Sequence, residues 1–100
     1  MSANDVPFRG RLLRLAAADN VAVATVDFPA GAAAPLDDGQ ITLVTPVAMG
    51  HKVAVTPIEV GEKIIKYGCP IGSAIRPIRV GEHVHTQNIK SDYLPTRPRG

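Results

Sequence analysis

The chain of 100 residues predicts an all-β domain, and three observations carry that prediction. Short runs rich in Val and Ile recur along its length, and these residues fit a pleated, half-buried strand. A Pro-apolar-Gly turn signal separates the runs. No stretch keeps apolar residues at helical spacing for more than two turns.

The elements follow in order. Residues 1–10, with Asn4, Asp5, Pro7 and Gly10, read as a flexible lead. Residues 11–15 (RLLRL) begin either a strand or a helical turn, and Asp19-Asn20 punctuates the chain. Residues 21–26 (VAVATV) form a strand and residues 28–31 a turn. Residues 32–39 form a connector with Pro35 and Asp37-Asp38-Gly39, where Asp-Gly signals a hairpin turn. Strands follow at 41–44, 53–55 and 63–67, a short Gly-containing one at 71–75, and a last one at 83–85. Turns fall at 46–50, 57–61, 68–70 and 77–81. The domain therefore occupies residues 11–90, and residues 91–100, with Pro95 and Pro98, form a poorly ordered tail.

A repeat underlies the turns. Residues 56–64 read TPIEVGEKI and residues 76–84 read RPIRVGEHV, identical at five positions. Residues 45–53 (TPVAMGHKV) are a looser copy, and residues 28–31 a degenerate fourth. Pro fixes φ and starts each turn, and Gly supplies the positive φ that lets the chain reverse. The turn glycines lie 19, 11 and 20 residues apart (31, 50, 61, 81), too irregular for a solenoid.

Composition bounds the function. With 45% hydrophobic and 20% charged residues the chain is a globular domain, and with few aromatics its core is aliphatic. The net charge of +2 arises near the ends, from Arg9, Arg11, Arg14, Arg97 and Arg99, so no basic stripe or stacking platform for nucleic acid is present. A single cysteine, Cys69, makes no intrachain disulfide and implies no oxidising compartment. Its two readings are a small buried apolar residue, or a nucleophile or metal ligand. Residues 1–9 show no secretory h-region and no run approaches the ~20 apolar residues of a membrane span. The expected location is the cytoplasm.

Polar chemistry concentrates at residues 76–88. His83 and His85 are one residue apart, so in a strand their imidazoles share a face and Val84 faces away. Two readings stand: a shared site for proton transfer or metal ligation, or two solvated surface histidines. His51 follows a turn glycine, at the position held by Glu62 and Glu82 in the other copies. If the turns cluster, His51 joins the pair as a third ligand or a substrate contact. Lys66 is either a cation for an anionic substrate or a solvated edge lysine. The recurrence of Glu62 and Glu82 points to acceptance of backbone N–H bonds. No Gly-rich phosphate loop, Cys-x-x-Cys, His-Glu-x-x-His or Gly-x-Ser-x-Gly motif is present.

Four motifs in order, DNVAVA (19–24), GHKVA (50–54), IIKYG-x-PIG (64–72) and GEHVH-x-x-N (81–88), resemble the SAF domain of altronate and galactarate dehydratases. The resemblance covers about residues 12–88 and extends to the small subunit of sulfolactate sulfo-lyase. It implies a β-clip fold of short bent hairpins. It also implies a place in a hydro-lyase that removes a proton beside a carboxylate and expels a β-leaving group from a sugar acid or related hydroxy acid. The resemblance further implies a divalent metal, iron(II) or manganese(II), held mainly by a large catalytic partner subunit. A homo-oligomer is a further expectation. The site candidates carried over are His83 and His85 as catalytic residues and possible metal ligands. His51, Lys66, Gln87 and Asn88 are carried over as substrate contacts. Gln87 stands where the family is expected to carry a third histidine of a His-x-His-x-His-Asn run. A non-catalytic SAF-type module binding an acidic small molecule is the alternative.

Overall fold

The computed structural model describes residues 10–91. Among them are β1 (Leu12–Leu13), β2 (Val21–Ala24), β3 (Ala33–Leu36), β4 (Gly39–Thr42), β5 (Lys52–Ala54), β6 (Lys63–Lys66), β7 (Cys69–Ala74), β8 (His83–Val84) and β9 (Ile89–Lys90), with no helix. They pair antiparallel into a four-stranded sheet β1-β2-β5-β8, a hairpin β3-β4 and a three-stranded sheet β6-β7-β9. The expected small all-β domain of short hairpins is the observed one. No helix among the described residues is long and apolar enough to cross a membrane.

β2 and β5 stand at the middle of the larger sheet with both faces covered. Ala22, Ala24 and Val53 pack with Leu12, Phe28, Ala34, Leu43 and Val47 in one apolar cluster. Val21 and Ala54 join Ile58, Ile64, Ala74, Ile78 and Val84 in a second. A Val/Ala run without polar alternation is what a strand buried on both faces requires. Each fully buried Val or Ile contributes about 1.5–3 kcal/mol.

The turn repeat closes these clusters in pairs. Phe28 and Val47 exchange backbone hydrogen bonds of 2.8 and 2.9 Å, and Ile58 and Ile78 do the same at 2.9 and 2.8 Å. All four side chains are buried. Three residues beyond each stands a glycine at positive φ: Gly31 at 84°, Gly50 at 86°, Gly61 at 85° and Gly81 at 87°. The 28–31 copy is degenerate because Asp27 stands where the others carry Pro; its carboxylate instead accepts the Met49 amide at 2.8 Å.

Several expectations are corrected. The 32–39 connector contains β3, with Pro35 opposite Gln40. Pro is tolerated there because a two-stranded hairpin has free edges for a residue lacking an N–H. Its loop is Asp37-Asp38, with Asp37 at φ 52°, and Gly39 already belongs to β4. The turn expected at 68–70 is Tyr67-Gly68, at φ 59° and 71°, the both-positive pattern of a type I′ hairpin. Cys69 therefore opens β7 beside a tight loop and is exposed rather than buried. β9 was not anticipated, and Gly10, assigned to the lead, is buried against Val26. The lead and tail expectations otherwise lie outside the described residues.

Candidate functional site

The β5–β8 register builds the site. Val53 stands opposite His83 and Lys52 opposite Val84. Opposed residues and residues two apart share a face, which sets His51, His83 and His85 on one side of the sheet. Gly50 turns the chain into β5, and His51 is fixed there by two backbone bonds: its N–H donates to Ala48 at 3.0 Å and its carbonyl accepts from Ala24 at 2.9 Å. The ring centroids lie 5.0 Å (His51–His83), 5.2 Å (His51–His85) and 5.5 Å (His83–His85) apart. His51 Nδ1 and His83 Nε2 are hydrogen-bonded at 2.8 Å. One ring nitrogen from each of the three lies within 4.8 Å of the others.

Asn88 is fully buried and locks the histidine segment. Its Oδ1 accepts the His85 N–H at 3.0 Å, and its Nδ2 donates to the His83 carbonyl at 2.8 Å. Asn88, expected as a substrate contact, has both polar atoms of its side chain on the backbone of the histidine segment. Gln87 is exposed; its Nε2 donates to the His83 carbonyl at 3.1 Å and lies 3.3 Å from His83 Nδ1. With the amide donating, Nδ1 is the acceptor and the His83 ring proton sits on Nε2, directed at His51 Nδ1.

Burial pushes the His83 pKa down, and His51, His85 and Lys52 push it further. Its neutral form, able to accept a proton or ligate a metal, is thus favoured. Lys52, which the sequence reading passed over, is half-buried, and its pKa falls through burial and the neighbouring Lys66 charge. Lys66 closes β6, and its charge acts on Lys52 rather than on His83. Neither lysine is in a salt bridge among the described residues. Spacing alone could not reveal Lys52; its adjacency to His51 was the available signal.

Asp19-Asn20, read as punctuation, is a buried clamp. The Asp19 carboxylate accepts the Ala16, Tyr67 and Gly68 amides at 3.0, 2.9 and 2.7 Å. Burial raises its pKa, but the amides of Gly68, Tyr67, Ala16 and Leu15 outweigh that and hold it below the ordinary value. Asn20 accepts the Ile65 amide at 2.7 Å and donates to the Lys63 carbonyl at 2.9 Å. Together they fix the hairpin that carries Lys66. Glu62 and Glu82 have the expected structural role: Glu62 accepts the Glu59 amide at 2.6 Å and Glu82 the Arg79 amide at 2.9 Å. Two surface hollows, one beside Arg14 and Asp37 and one beside Val60, Ile75 and Lys90, are lined by other residues.

Fold and site define a small all-β module that presents three clustered imidazoles at the end of a β-sheet. The chain belongs to the altronate/galactarate dehydratase SAF domain family, which it matches over residues 10–92. It is 44% identical over 80 residues to the altronate dehydratase of Escherichia coli, covering 80% of this chain and 16% of that protein. The altronate dehydratase of Bacillus subtilis is 34% identical over 74 residues, 74% of this chain and 15% of that protein. The (2R)-sulfolactate sulfo-lyase subunit alpha of Paracoccus pantotrophus is 39% identical over 54 residues, 54% of this chain and 81% of that subunit. The chain thus spans about a sixth of the length of the dehydratases it matches.

Proposed function

We propose that this chain is the SAF component of a metal-dependent hydro-lyase that β-eliminates water from a sugar acid or related hydroxy acid such as altronate or galactarate. The observation that carries the reading is the gathering of His51, His83 and His85 at an open sheet end. Such a cluster is half of a site, and a large catalytic subunit of the dehydratase type closes it. Similarity to a sulfo-lyase subunit alpha supports an assembly of this kind. His83 and His85 serve as acid and base. A C–H beside an ionised carboxylate is a weak acid, so the base must be held in place and neutral before it acts. The lowered His83 pKa favours that state. His51, Lys66 and Gln87 steady the substrate anion and its hydroxyls. A divalent metal, iron(II) or manganese(II), bound in part by the partner, supplies neutralisation of the carboxylate and help to the leaving hydroxyl.

Co-purification of the tagged chain from its native host tests the assembly, and turnover of the complex on sugar acids tests the chemistry. The expected result is a large partner of the dehydratase type. His83→Ala and His85→Ala should each lower turnover by roughly 10²–10⁴-fold while the complex still forms. A large subunit fully active without this chain would overturn the reading. The Lys52–Lys66 pair, two like charges without a salt bridge among the described residues, favours a second reading. In it the chain is a non-catalytic module for an acidic small molecule; sugar-acid binding without any large partner distinguishes it.

A further inference from the structure

We propose that this chain by itself binds one divalent transition-metal ion through a ring nitrogen of each of His51, His83 and His85. The inference rests on the reading above for the metal, but gives His51, His83 and His85 to the ion as ligands in place of the acid–base and substrate-contact roles assigned there. Its geometric basis is independent of any partner. Two imidazole nitrogens each about 2.1 Å from an ion stand roughly 3.0–3.4 Å apart, depending on coordination geometry. His51 Nδ1 and His83 Nε2 are 2.8 Å apart, with their lone-pair directions meeting on a shared proton. Replacing that proton by an ion opens the pair by about half an ångström. A ring nitrogen of His85 lies within 4.8 Å of a ring nitrogen of each of the other two.

The scaffold is built to hold this face. His51 is tied by its backbone to Ala48 and Ala24, and His83 and His85 are tied to each other through the buried Asn88. His83 lies in the paired strand β8, while His51 immediately precedes β5 and His85 immediately follows β8, each held there by these bonds. Three neutral nitrogens suit iron, cobalt, nickel or zinc and not magnesium or calcium. Three ligands on one side leave the remaining coordination positions open outward.

The proton balance assigns a role to Gln87. Metal at His83 Nε2 displaces the ring proton, which moves to Nδ1. The Gln87 amide, 3.3 Å from Nδ1, rotates to present its carbonyl oxygen as acceptor. Such outer partners fix the tautomer of a ligating histidine. Gln87 is therefore a positioning residue in this site.

The test is a titration of the full, tag-free chain with cobalt(II), read by visible absorption and by calorimetry, with magnesium as the control cation. One cobalt per chain, with no magnesium binding, is the expected result. His51→Ala and His85→Ala should abolish stoichiometric binding, and Gln87→Ala should weaken it about 10-fold. His85 is exposed, so His85→Ala tests the site independently of His51→Ala. Selective broadening of the three histidine ring signals by cobalt gives a second readout. No stoichiometric cobalt binding, or binding unchanged in His85→Ala, would overturn the proposal. Because no partner or substrate enters, that failure is separate from failure to find a large subunit or lyase turnover.

Discussion

Three copies of the same turn do two kinds of work. After Gly61 and Gly81, Glu62 and Glu82 fold back and accept the amide three residues earlier. After Gly50 the same position holds His51, whose ring turns instead to His83. The turn is kept in all three by the same backbone bond, from the residue after the glycine to the carbonyl three residues before: 3.0 Å for His51, 2.9 Å for Glu62 and 3.1 Å for Glu82. The side-chain brace is thus dispensable where the backbone already closes the turn, and the freed position can carry chemistry.

Substitutions at the glycines should separate the copies most. Gly61 and Gly81 share a positive φ, but a Cβ at Gly61 meets open space, whereas at Gly81 it strikes the Thr42 carbonyl. Gly61→Ala should cost about 1–2 kcal/mol from backbone conformation alone. Gly81→Ala adds an overpacking cost of roughly 1–3 kcal/mol. Urea unfolding of both variants measures the difference; equal losses would mean that the Gly81 turn relaxes away from β4.

The Asp19 clamp gives an intermediate effect, read by pH. Its carboxyl is held below the ordinary value of 3.8, so the folded state favours the ionised form. That stabilisation is complete above 3.8 and is lost as pH falls through the lower folded-state pKa. Stability of the natural chain should therefore drop more steeply in this acid window than that of Asp19→Asn. Parallel acid profiles for the two proteins would assign the acid sensitivity elsewhere.

The smallest effect concerns the brace. Glu62→Ala removes a side-chain-to-backbone bond on an exposed turn and should cost about 0.5–1 kcal/mol. His51→Ala, lacking that bond, should change stability by less than about 0.5 kcal/mol. Thermal unfolding compares the two, and a larger loss at His51 would give its ring a structural role.

Much of the fold was legible because Pro and Gly mark turns by their own backbone chemistry. Pro57, Pro77, Gly61 and Gly81 placed turns that the structure contains. β3 was hidden because Ala33, Ala34 and Pro35 carry no strand signal; its pairing with β4 creates the strand. β9 is two residues long, too short for any periodicity. Within the site, the His83/His85 face could be read from strand alternation. The meeting of His51 with His83 depends on the β5–β8 register, which no local pattern specifies. Asn88 looked like one more polar group beside the histidines, since burial of its amide is a tertiary fact. Asp19 was likewise silent, because its partners Tyr67 and Gly68 lie 48 and 49 residues away.

The register that unites the histidines also makes their cluster a long-range feature of the chain. His51 and His83 are 32 residues apart and touch only across the β5–β8 pairing. Closing a loop of this range costs more chain entropy than closing the local hairpins β3–β4 and β6–β7. A chain in which β5 and β8 are unpaired therefore holds His51 apart from His83. Reactivity at this site, of whatever kind, is a property of the finished domain.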